Sequence, residues 1–314
     1  QQSINVGVQS EQRDFENIYA GIAAANYTAD DSQNALFAEY LFSYSNTSLA
    51  LSMRRDWNQR FADATTARGT LSHVLRRSQG GQSRLHFSFG QGITHPSFFE
   101  LFGFIPSTFI GSPSLLPEQS TSYDVGWSQS WSSTFAGQNT QWDLDLTYFS
   151  ADLRNEIATV YDANFMAQPI NLDTDSERSG VELAASVAIG PTWQLAAAYT
   201  RLKAQENGAE EVRRPRHSGQ LRLSKNFADT RGRASVQLLQ NGRSKDNEFI
   251  YATTATQINL PSYTLINIGV SFELRPNLML SARVDNLTDA SYQQVFGYNT
   301  AGRSIRVGAK LSLD

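Results

Sequence analysis

What the sequence lacks first narrows the class of protein. Its 314 residues include no cysteine, so the chain folds without disulfide bonds. Although 40% of the residues are hydrophobic, no stretch approaches the ~20 consecutive apolar residues of a membrane-spanning helix. The formal net charge is only −4, which excludes a strongly basic nucleic-acid binder. We therefore expect no nucleic-acid partner.

What the sequence has instead is an alternation of apolar and polar residues at every second position. The alternation is clearest in residues 304–313, and it recurs in 278–285, in 266–274 and in 181–187. A period of two is typical of a β-strand whose faces meet different surroundings. We count about fourteen such segments, each of about ten residues or a little more, as expected for the strands of an outer-membrane barrel.

The polar face of these segments carries many charges. Its charged residues are Asp124, Asp143, Asp145, Glu182, Arg222, Glu273, Arg283, Asp285 and Lys310. A packed core of small diameter cannot absorb so many charges, whereas a wide, water-filled lumen can. The sequence therefore predicts an all-β fold, a transmembrane antiparallel up-and-down β-barrel with lipid outside and water inside.

Short and long connections between the segments alternate strictly. The short ones are residues 46–47, 78–81, 132–138, 190–191, 228–232 and 275–277, of which 132–138 and 228–232 are longer than an ideal turn. The long ones are residues 16–31, 58–65, 95–118, 158–171, 205–212, 245–257 and 288–300. Transmembrane barrels place short turns on the periplasmic side and long loops outside. Nothing else interrupts the pattern, so we expect residues 1–314 to form one domain.

Catalytic and metal chemistry have little support in the sequence. The four histidines are scattered without a His-x-x-x-His or Glu-x-x-His pairing that would hold a metal. Asp143 and Asp145 with Ser128 invite comparison with a hydrolase site, but a nucleophile needs a base within hydrogen-bond reach. We favour polar residues lining the lumen, and we expect no enzyme activity, no metal ligand and no cofactor.

Several landmarks, in order along the chain, resemble TonB-dependent outer-membrane transporters. Residues 90–103 end in Pro-Ser and an acidic-Leu-aromatic group, and residues 112–127 hold a Pro-x-Leu-x-Pro-Glu turn and an aromatic-acidic-x-Gly group. A Gly-Val-Glu strand follows at 178–182, and Asn-Leu-Thr-Asp with a later Gly-Arg lies in 286–303. Residues 297–303 are most similar to the cobalamin (vitamin B12) receptor branch, although ferric-siderophore and haem receptors have related endings.

This resemblance implies a monomeric receptor in the bacterial outer membrane that imports a scarce, bulky nutrient. Transporters of this class close with 22 strands around a plugged lumen. The chain then corresponds to the C-terminal portion of the barrel. The plug, the first strands and the segment that contacts the TonB–ExbB–ExbD complex are expected upstream of Gln1.

The connection 95–118 is the most informative candidate for a binding surface, because it is very apolar for an exposed loop. Its candidate ligand-binding residues are Phe98, Phe99, Phe102, Phe104 and Phe109. One hypothesis is that these aromatics pack over the barrel mouth and form a wall of a ligand pocket. The alternative is a loop that folds inward and packs on its neighbours or on the plug.

Further walls of the pocket are predicted from aromatics in three other long connections. These candidates are Tyr161, Phe165, Phe249, Tyr251, Tyr292, Phe296 and Tyr298. A bulky ligand such as a corrinoid or a siderophore suits aromatic contacts gathered from several loops.

Other interpretations stay open at this point. Arg213, Arg214 and Arg216 are predicted either to meet lipopolysaccharide phosphates in the outer-membrane lipid or to be a solvated charge run. For the whole chain, a passive channel is an alternative, because about fourteen strands is a legitimate size for a closed outer-membrane pore. A barrel that serves as an adhesin or phage receptor is a third.

Overall fold

A computed structural model describes residues 1–22, 26–78, 80–103, 105, 108–248 and 256–312. Within them the alternating segments form β-strands, as predicted. The strands are β1 Gln2–Asn17, β2 Tyr27–Tyr44, β3 Thr47–Asn58, β4 Ala64–Ser78, β5 Gly81–Thr94, β6 Glu118–Phe135, β7 Gln138–Arg154, β8 Ile157–Tyr161, β9 Ala167–Asn171, β10 Ser176–Ile189, β11 Trp193–Glu206, β12 Ala209–Glu210, β13 His217–Phe227, β14 Gly232–Asn241, β15 Ser244–Glu248, β16 Thr256–Leu260, β17 Tyr263–Arg275, β18 Leu278–Asp285 and β19 Ser304–Leu311. A short helix, α1, spans Phe98–Phe102.

Fourteen of the described strands form one antiparallel sheet in which neighbours in sequence are neighbours in space. The order is β1-β2-β3-β4-β5-β6-β7-β10-β11-β13-β14-β17-β18-β19, and β12 adds to β11. The hairpins β8–β9 and β15–β16 stand apart from this sheet. The predicted all-β, up-and-down architecture is confirmed, with β1 and β19 as the two edges of an open sheet.

The register places the charged positions on one face of the sheet and the apolar positions on the other. Glu182 lies opposite Thr147 on the neighbouring strand, whereas Leu183 lies opposite Leu146. Directly opposed residues point to the same face, so these pairings extend two continuous surfaces across the strands. Leu146 and Leu183 are 42% and 39% exposed, since no protein layer covers the apolar face. A bilayer is the surrounding that such a face fits.

The short connections lie at one end of the sheet, called here the turn end, and the long ones at the other, the loop end. The prediction of a longer turn at 132–138 was wrong, because β6 and β7 pair as far as Phe135 and Gln138. Only Ala136 and Gly137 connect them, with positive φ angles of 49° and 77°. Two successive residues with positive φ are typical of the tightest hairpin turns.

Several strands are longer than the sequence predicts. β2 and β6 each have 18 residues and β7 has 17, although a tilted strand needs only about 9–11 to cross a membrane. In β2 the extra length lies at the loop end, where β1 and β2 pair as far as Asn17 and Tyr27, and in β6 and β7 it lies at the turn end. The first long connection therefore covers residues 18–26, and the sheet extends beyond the membrane.

Besides the connection that contains β12, three long connections contain secondary structure of their own. The connection 95–117, called here the α1 connection, includes α1, which begins with a capping box. Ser97 Oγ accepts the N–H of Glu100 at 3.3 Å, and Ser97 N donates to Glu100 Oε2 at 2.7 Å. The other two contain the β8–β9 and β15–β16 hairpins. No helix among the described residues combines the length and apolar character needed to cross a membrane.

Candidate ligand-binding surface at the loop end

The aromatic side chains of α1 pack on the ends of the first two strands. Phe98 stacks on Phe15 of β1, with ring centroids 5.4 Å apart, and Phe102 meets Tyr27 of β2 edge-on at 5.4 Å. The guanidinium of Arg13 lies over the Phe98 ring at 5.7 Å. For Phe98 and Phe102, the structure therefore favours a connection that folds back on its neighbours.

Two buried carboxylates lie near α1 on the ends of β2 and β3. Asp31 is 2% exposed and pairs with Arg13 of β1. Asp56 is 3% exposed and pairs with Arg54 of its own strand at 2.8 Å. Each arginine offsets much of the cost of removing its carboxylate from water. This cluster was not predicted from the sequence, although all four residues occupy polar-face positions of alternating strands.

His95 joins this cluster at the start of the α1 connection. Its ring stacks on Phe61 at 4.9 Å, and its Nε2 is buried without a hydrogen-bond partner among the described residues. Burial lowers the pKa of His95 and the nearby Arg13 lowers it further, while Asp31 and Asp56 oppose the shift. The imidazole is therefore neutral at neutral pH. Its protonation would add a charge among the charged side chains of Arg13, Asp31 and Asp56.

The second half of the α1 connection docks on the β8–β9 hairpin. Phe99 and Phe109 stack with centroids 4.0 Å apart. Ala167 of β9 donates its N–H to Thr108 O at 2.8 Å and accepts the N–H of Ile110 at 2.9 Å. The backbone of the connection thus forms an isolated parallel bridge with the hairpin, between Phe109 and Ala167.

Asn171, at the end of β9, fixes the last part of the same connection. Its Oδ1 accepts the N–H of Leu116 at 2.7 Å, and its Nδ2 donates to Leu116 O at 3.0 Å and to Asn155 O at 2.7 Å. Glu118 Oε1 accepts the N–H of Ile157 at 2.8 Å. The α1 connection and the hairpin are therefore one hydrogen-bonded unit.

The tip of the β8–β9 hairpin presents two aromatic rings to solvent. Tyr161 is 68% exposed and Phe165 is 80% exposed. The turn between them is held by Asp162, whose Oδ1 accepts the N–H groups of Asn164 and Met166, each at 2.8 Å. These hydrogen bonds lower the pKa of the Asp162 carboxyl. A fixed turn thus displays rings that nothing in the described part of the chain covers.

Arginine–carboxylate pairs tie the middle connections together. Arg178 of β10 contacts Glu211 at 2.9 Å and Glu156 at 2.6 Å. Glu211 also pairs with Arg214 at 3.5 Å. These contacts join the connection after β7 to the connection after β11.

The three arginines predicted to meet lipopolysaccharide are all engaged by carboxylates. Beside the Arg214–Glu211 pair, Arg216 contacts Glu210 at 2.8 Å and Arg213 contacts Asp246 at 2.9 Å. All three side chains remain 46–66% exposed, so both the solvated charge run and the phosphate contact stay predictions.

The connection between β18 and β19, residues 286–303, is called here the last connection. Tyr292 stacks on Tyr263 of β17 at 4.4 Å, and Gln294 Nε2 donates to the Tyr263 hydroxyl at 3.1 Å. The N–H of Phe296 donates to Asp246 of β15 at 2.7 Å. Tyr298 is 64% exposed. This connection also combines a fixed backbone with an exposed ring.

The structure thus brings the predicted aromatics into two groups rather than one wall. The first group, on the α1 connection and the β8–β9 hairpin, consists of Phe98, Phe99, Phe102, Phe109, Tyr161 and Phe165. The second, on the last connection, consists of Tyr292, Phe296 and Tyr298. Phe104, Phe249 and Tyr251 lie outside the described residues.

The polar face of the sheet shows no arrangement for nucleophilic catalysis among the described residues. Ser128 donates to Asp145 at 2.8 Å, while His86 contacts Thr147 at 3.3 Å and not the serine. A Ser–His pair of the kind that activates a serine nucleophile is therefore not formed by Ser128 and His86. In the described ranges, no group of three or more His, Cys, Asp or Glu residues is arranged to hold a metal ion.

The fold and this surface define an outer-membrane β-barrel, with an apolar face for lipid and a polar face for water. The family model "TonB dependent receptor-like, beta-barrel" matches residues 3–287, and the chain belongs to that family. It is an outer-membrane protein, and barrels of this kind place their short turns on the periplasmic side and their long loops outside.

Two curated relatives are similar over most of this chain. "Vitamin B12 transporter BtuB" of Photobacterium profundum is 25% identical over 285 residues, which cover 88% of this chain and 43% of the relative. The protein of the same name from Vibrio cholerae serotype O1 is 26% identical over 277 residues, covering 88% and 41%. The chain thus spans less than half the length of these relatives.

Solved structures share the fold at low sequence identity. The siderophore receptor PirA from Acinetobacter baumannii has a TM-score of 0.77 and 14% identity, with 99% of this chain and 52% of that chain covered. A variant of the ferric enterobactin receptor PfeA from Pseudomonas aeruginosa has a TM-score of 0.74 and 17% identity, covering 99% and 51%.

Proposed function

We propose that this chain is the C-terminal part of the barrel of a receptor that binds a scarce, bulky nutrient and imports it with energy delivered through TonB. A corrinoid is the favoured ligand, because the curated relatives that match most of the chain are named vitamin B12 transporters. The TonB–ExbB–ExbD complex is the proposed partner. A plug and further strands, to a total of about 22, would complete the barrel.

The observation that carries this proposal is the set of exposed aromatic rings on firmly held connections at the loop end. Tyr161, Phe165 and Tyr298 are each more than 60% exposed. Large apolar side chains left uncovered on a fixed backbone are typical of interaction sites. A large planar ligand gains contact area from such rings, which lose little conformational freedom on binding.

Titration of cyanocobalamin into the protein purified from outer membranes, followed by calorimetry, tests the proposal. We expect Phe165→Ala and Tyr161→Ala each to weaken binding about tenfold, as for central aromatic contacts. Phe135→Ala is the matched control, because Phe135 is a 60% exposed aromatic at the opposite, turn end. Full affinity in both loop-end variants would overturn the role of the hairpin tip.

Binding of other ligands tests the corrinoid assignment separately from the receptor class. The wild-type protein could fail to bind cyanocobalamin but bind a ferric siderophore or haem in the same calorimetric assay. That result would change the proposed ligand and keep the proposed receptor class. A passive pore is less well supported, because a closed barrel of fourteen strands requires β1 to pair with β19. In the structure these strands are the open edges of the sheet.

A further inference from the structure

Asp246, in the middle of β15, is a charged residue with no exposed surface. Its exposed fraction is 0%. Its Oδ1 accepts Arg213 Nε at 2.9 Å and the N–H of Asn247 at 2.8 Å, and its Oδ2 accepts the N–H of Phe296 at 2.7 Å. A carboxylate is removed from water at a large cost unless it is paired and hydrogen-bonded. The three donors meet that requirement.

The donors come from three different connections at the loop end. Arg213 lies between β12 and β13, Asn247 belongs to the β15–β16 hairpin, and Phe296 lies in the last connection. The first of these contacts has backbone support, because Arg213 N donates to Lys245 O at 2.7 Å and Val212 bridges to Lys245. The contact to Phe296 is carried by the Asp246 side chain.

The base of the last connection is held by separate interactions. Asn286 and Ala290 exchange two hydrogen bonds of 2.9 Å, and the N–H of Arg303 donates to Asp289 Oδ1 at 2.7 Å. None of these bonds involves β15. Removing the Asp246 carboxylate should therefore release the apex of the connection, around Phe296, and leave its base in place.

We propose that Asp246 is a positioning residue for the ligand-binding surface. Its carboxylate holds the apex of the last connection against the β15–β16 hairpin and the segment before β13, which fixes where Phe296 and the exposed ring of Tyr298 stand. The part of this proposal that concerns the ligand rests on the proposed function, whereas the anchoring of the apex does not.

Hydrogen exchange in the protein purified from outer membranes tests the anchor without any ligand. In Asp246→Asn, which keeps the side-chain volume but removes the charge, we expect the hydrogen-bonded amides of the apex, those of Phe296 and Tyr298, to exchange about tenfold faster. Those of residues 286–290 and of β19 should not change. Unchanged exchange at Phe296 would overturn the proposal.

A matched control and a second variant make this test specific. Asp162→Asn alters another carboxylate that accepts two backbone N–H groups, and it should leave residues 294–299 as in the wild type. If Asp246→Asn does not reach the membrane, Phe296→Pro removes the donor and keeps the carboxylate. It should increase exchange at residues 297–299, and unchanged exchange there would count against the anchor.

Titration with cyanocobalamin tests the ligand part separately. We expect Asp246→Asn to bind about tenfold more weakly than wild type, with the same exchange in the main sheet. Equal affinity in a variant whose apex is released would overturn the positioning role. A wild type that does not bind cyanocobalamin would contradict the proposed function, while the exchange data would still decide the anchor.

Discussion

At the scale of single residues, three buried carboxylates at the loop end are each paired with an arginine. Asp31 pairs with Arg13, Asp56 with Arg54 and Asp246 with Arg213. Burying a charge costs several kcal/mol, and an opposite charge with good hydrogen bonds offsets most of that cost.

Removing one partner of such a pair should reveal this dependence. Arg13→Met leaves the carboxylate of Asp31 buried and without its arginine, and we expect a loss of about 3 kcal/mol in the free energy of unfolding. Denaturant titration of the detergent-solubilised protein measures it. The control is Arg55→Met, because Arg55 and Asp63 are 43% and 41% exposed and such pairs contribute little. Equal losses in both variants would show that burial at Asp31 does not matter.

His95 should make the packing of the α1 connection depend on pH. Burial and Arg13 lower its pKa in the packed state, whereas the released histidine titrates near the ordinary value of about 6.5. The released form therefore binds the proton first. The contribution of neutral His95 to the packing of the α1 connection is complete above about pH 6.5. It is lost as the pH falls through the lowered pKa of the packed state.

Hydrogen exchange of residues 97–103, corrected for the intrinsic rate at each pH, measures this effect. We expect protection to decrease between about pH 7 and pH 5 in the wild type and to change much less in His95→Gln, which cannot titrate. The same decrease in both proteins would contradict the role of His95.

At the scale of elements, glycines on the polar face allow close strand contacts. A Cβ at Gly180 of β10 would meet the carbonyl oxygen of Arg201 on β11 and the ring of Phe149 on β7. The backbone of the neighbouring strand cannot move away without breaking the ladder. The close contact therefore has a sequence requirement that alternation alone does not show.

Alanine at this position should destabilise the sheet. We expect Gly180→Ala to cost about 1–3 kcal/mol, as for other overpacked sites. Gly269→Ala is the control, because a Cβ there would meet only Ser235 Oγ, at 3.4 Å. Unfolding in urea compares the two, and equal stability would mean that β10 and β11 adjust freely.

The strands were predictable because lipid and water impose opposite demands on alternate residues. Their extensions were not, because beyond the membrane both faces meet water and the alternation fades, as in the last part of β1. The helix α1 had a readable signal in Ser97 and Glu100, the two ends of a capping box. The five-residue strands of the two hairpins gave none, because they are short and their pairing is decided by contacts outside the main sheet.

The candidate site was predicted in composition but not in arrangement. The apolar connection between β5 and β6 was expected to pack over the barrel mouth or to fold inward on its neighbours. Its partners, Phe15 and Tyr27, could not be predicted because they lie far away in the sequence. The proposed positioning role of Asp246 could not be predicted for the same reason, since it depends on contacts with Arg213 and Phe296.

At the scale of the whole molecule, both edges of the sheet are open and apolar on one face. Val8 of β1 and Val307 of β19 are each 82% exposed. Unpaired edge strands offer rows of free N–H and C=O groups, which a membrane does not tolerate. The sheet therefore requires further strands in the membrane, in agreement with a chain that spans less than half of its curated relatives.

Uptake of labelled cyanocobalamin by cells that produce the protein, with and without functional TonB, tests the proposed energised import of a corrinoid most directly. We predict uptake that depends on both the protein and TonB and that is lost when the proton-motive force is collapsed. Uptake that is equal with and without TonB would contradict the proposed function and would make the barrel a passive pore.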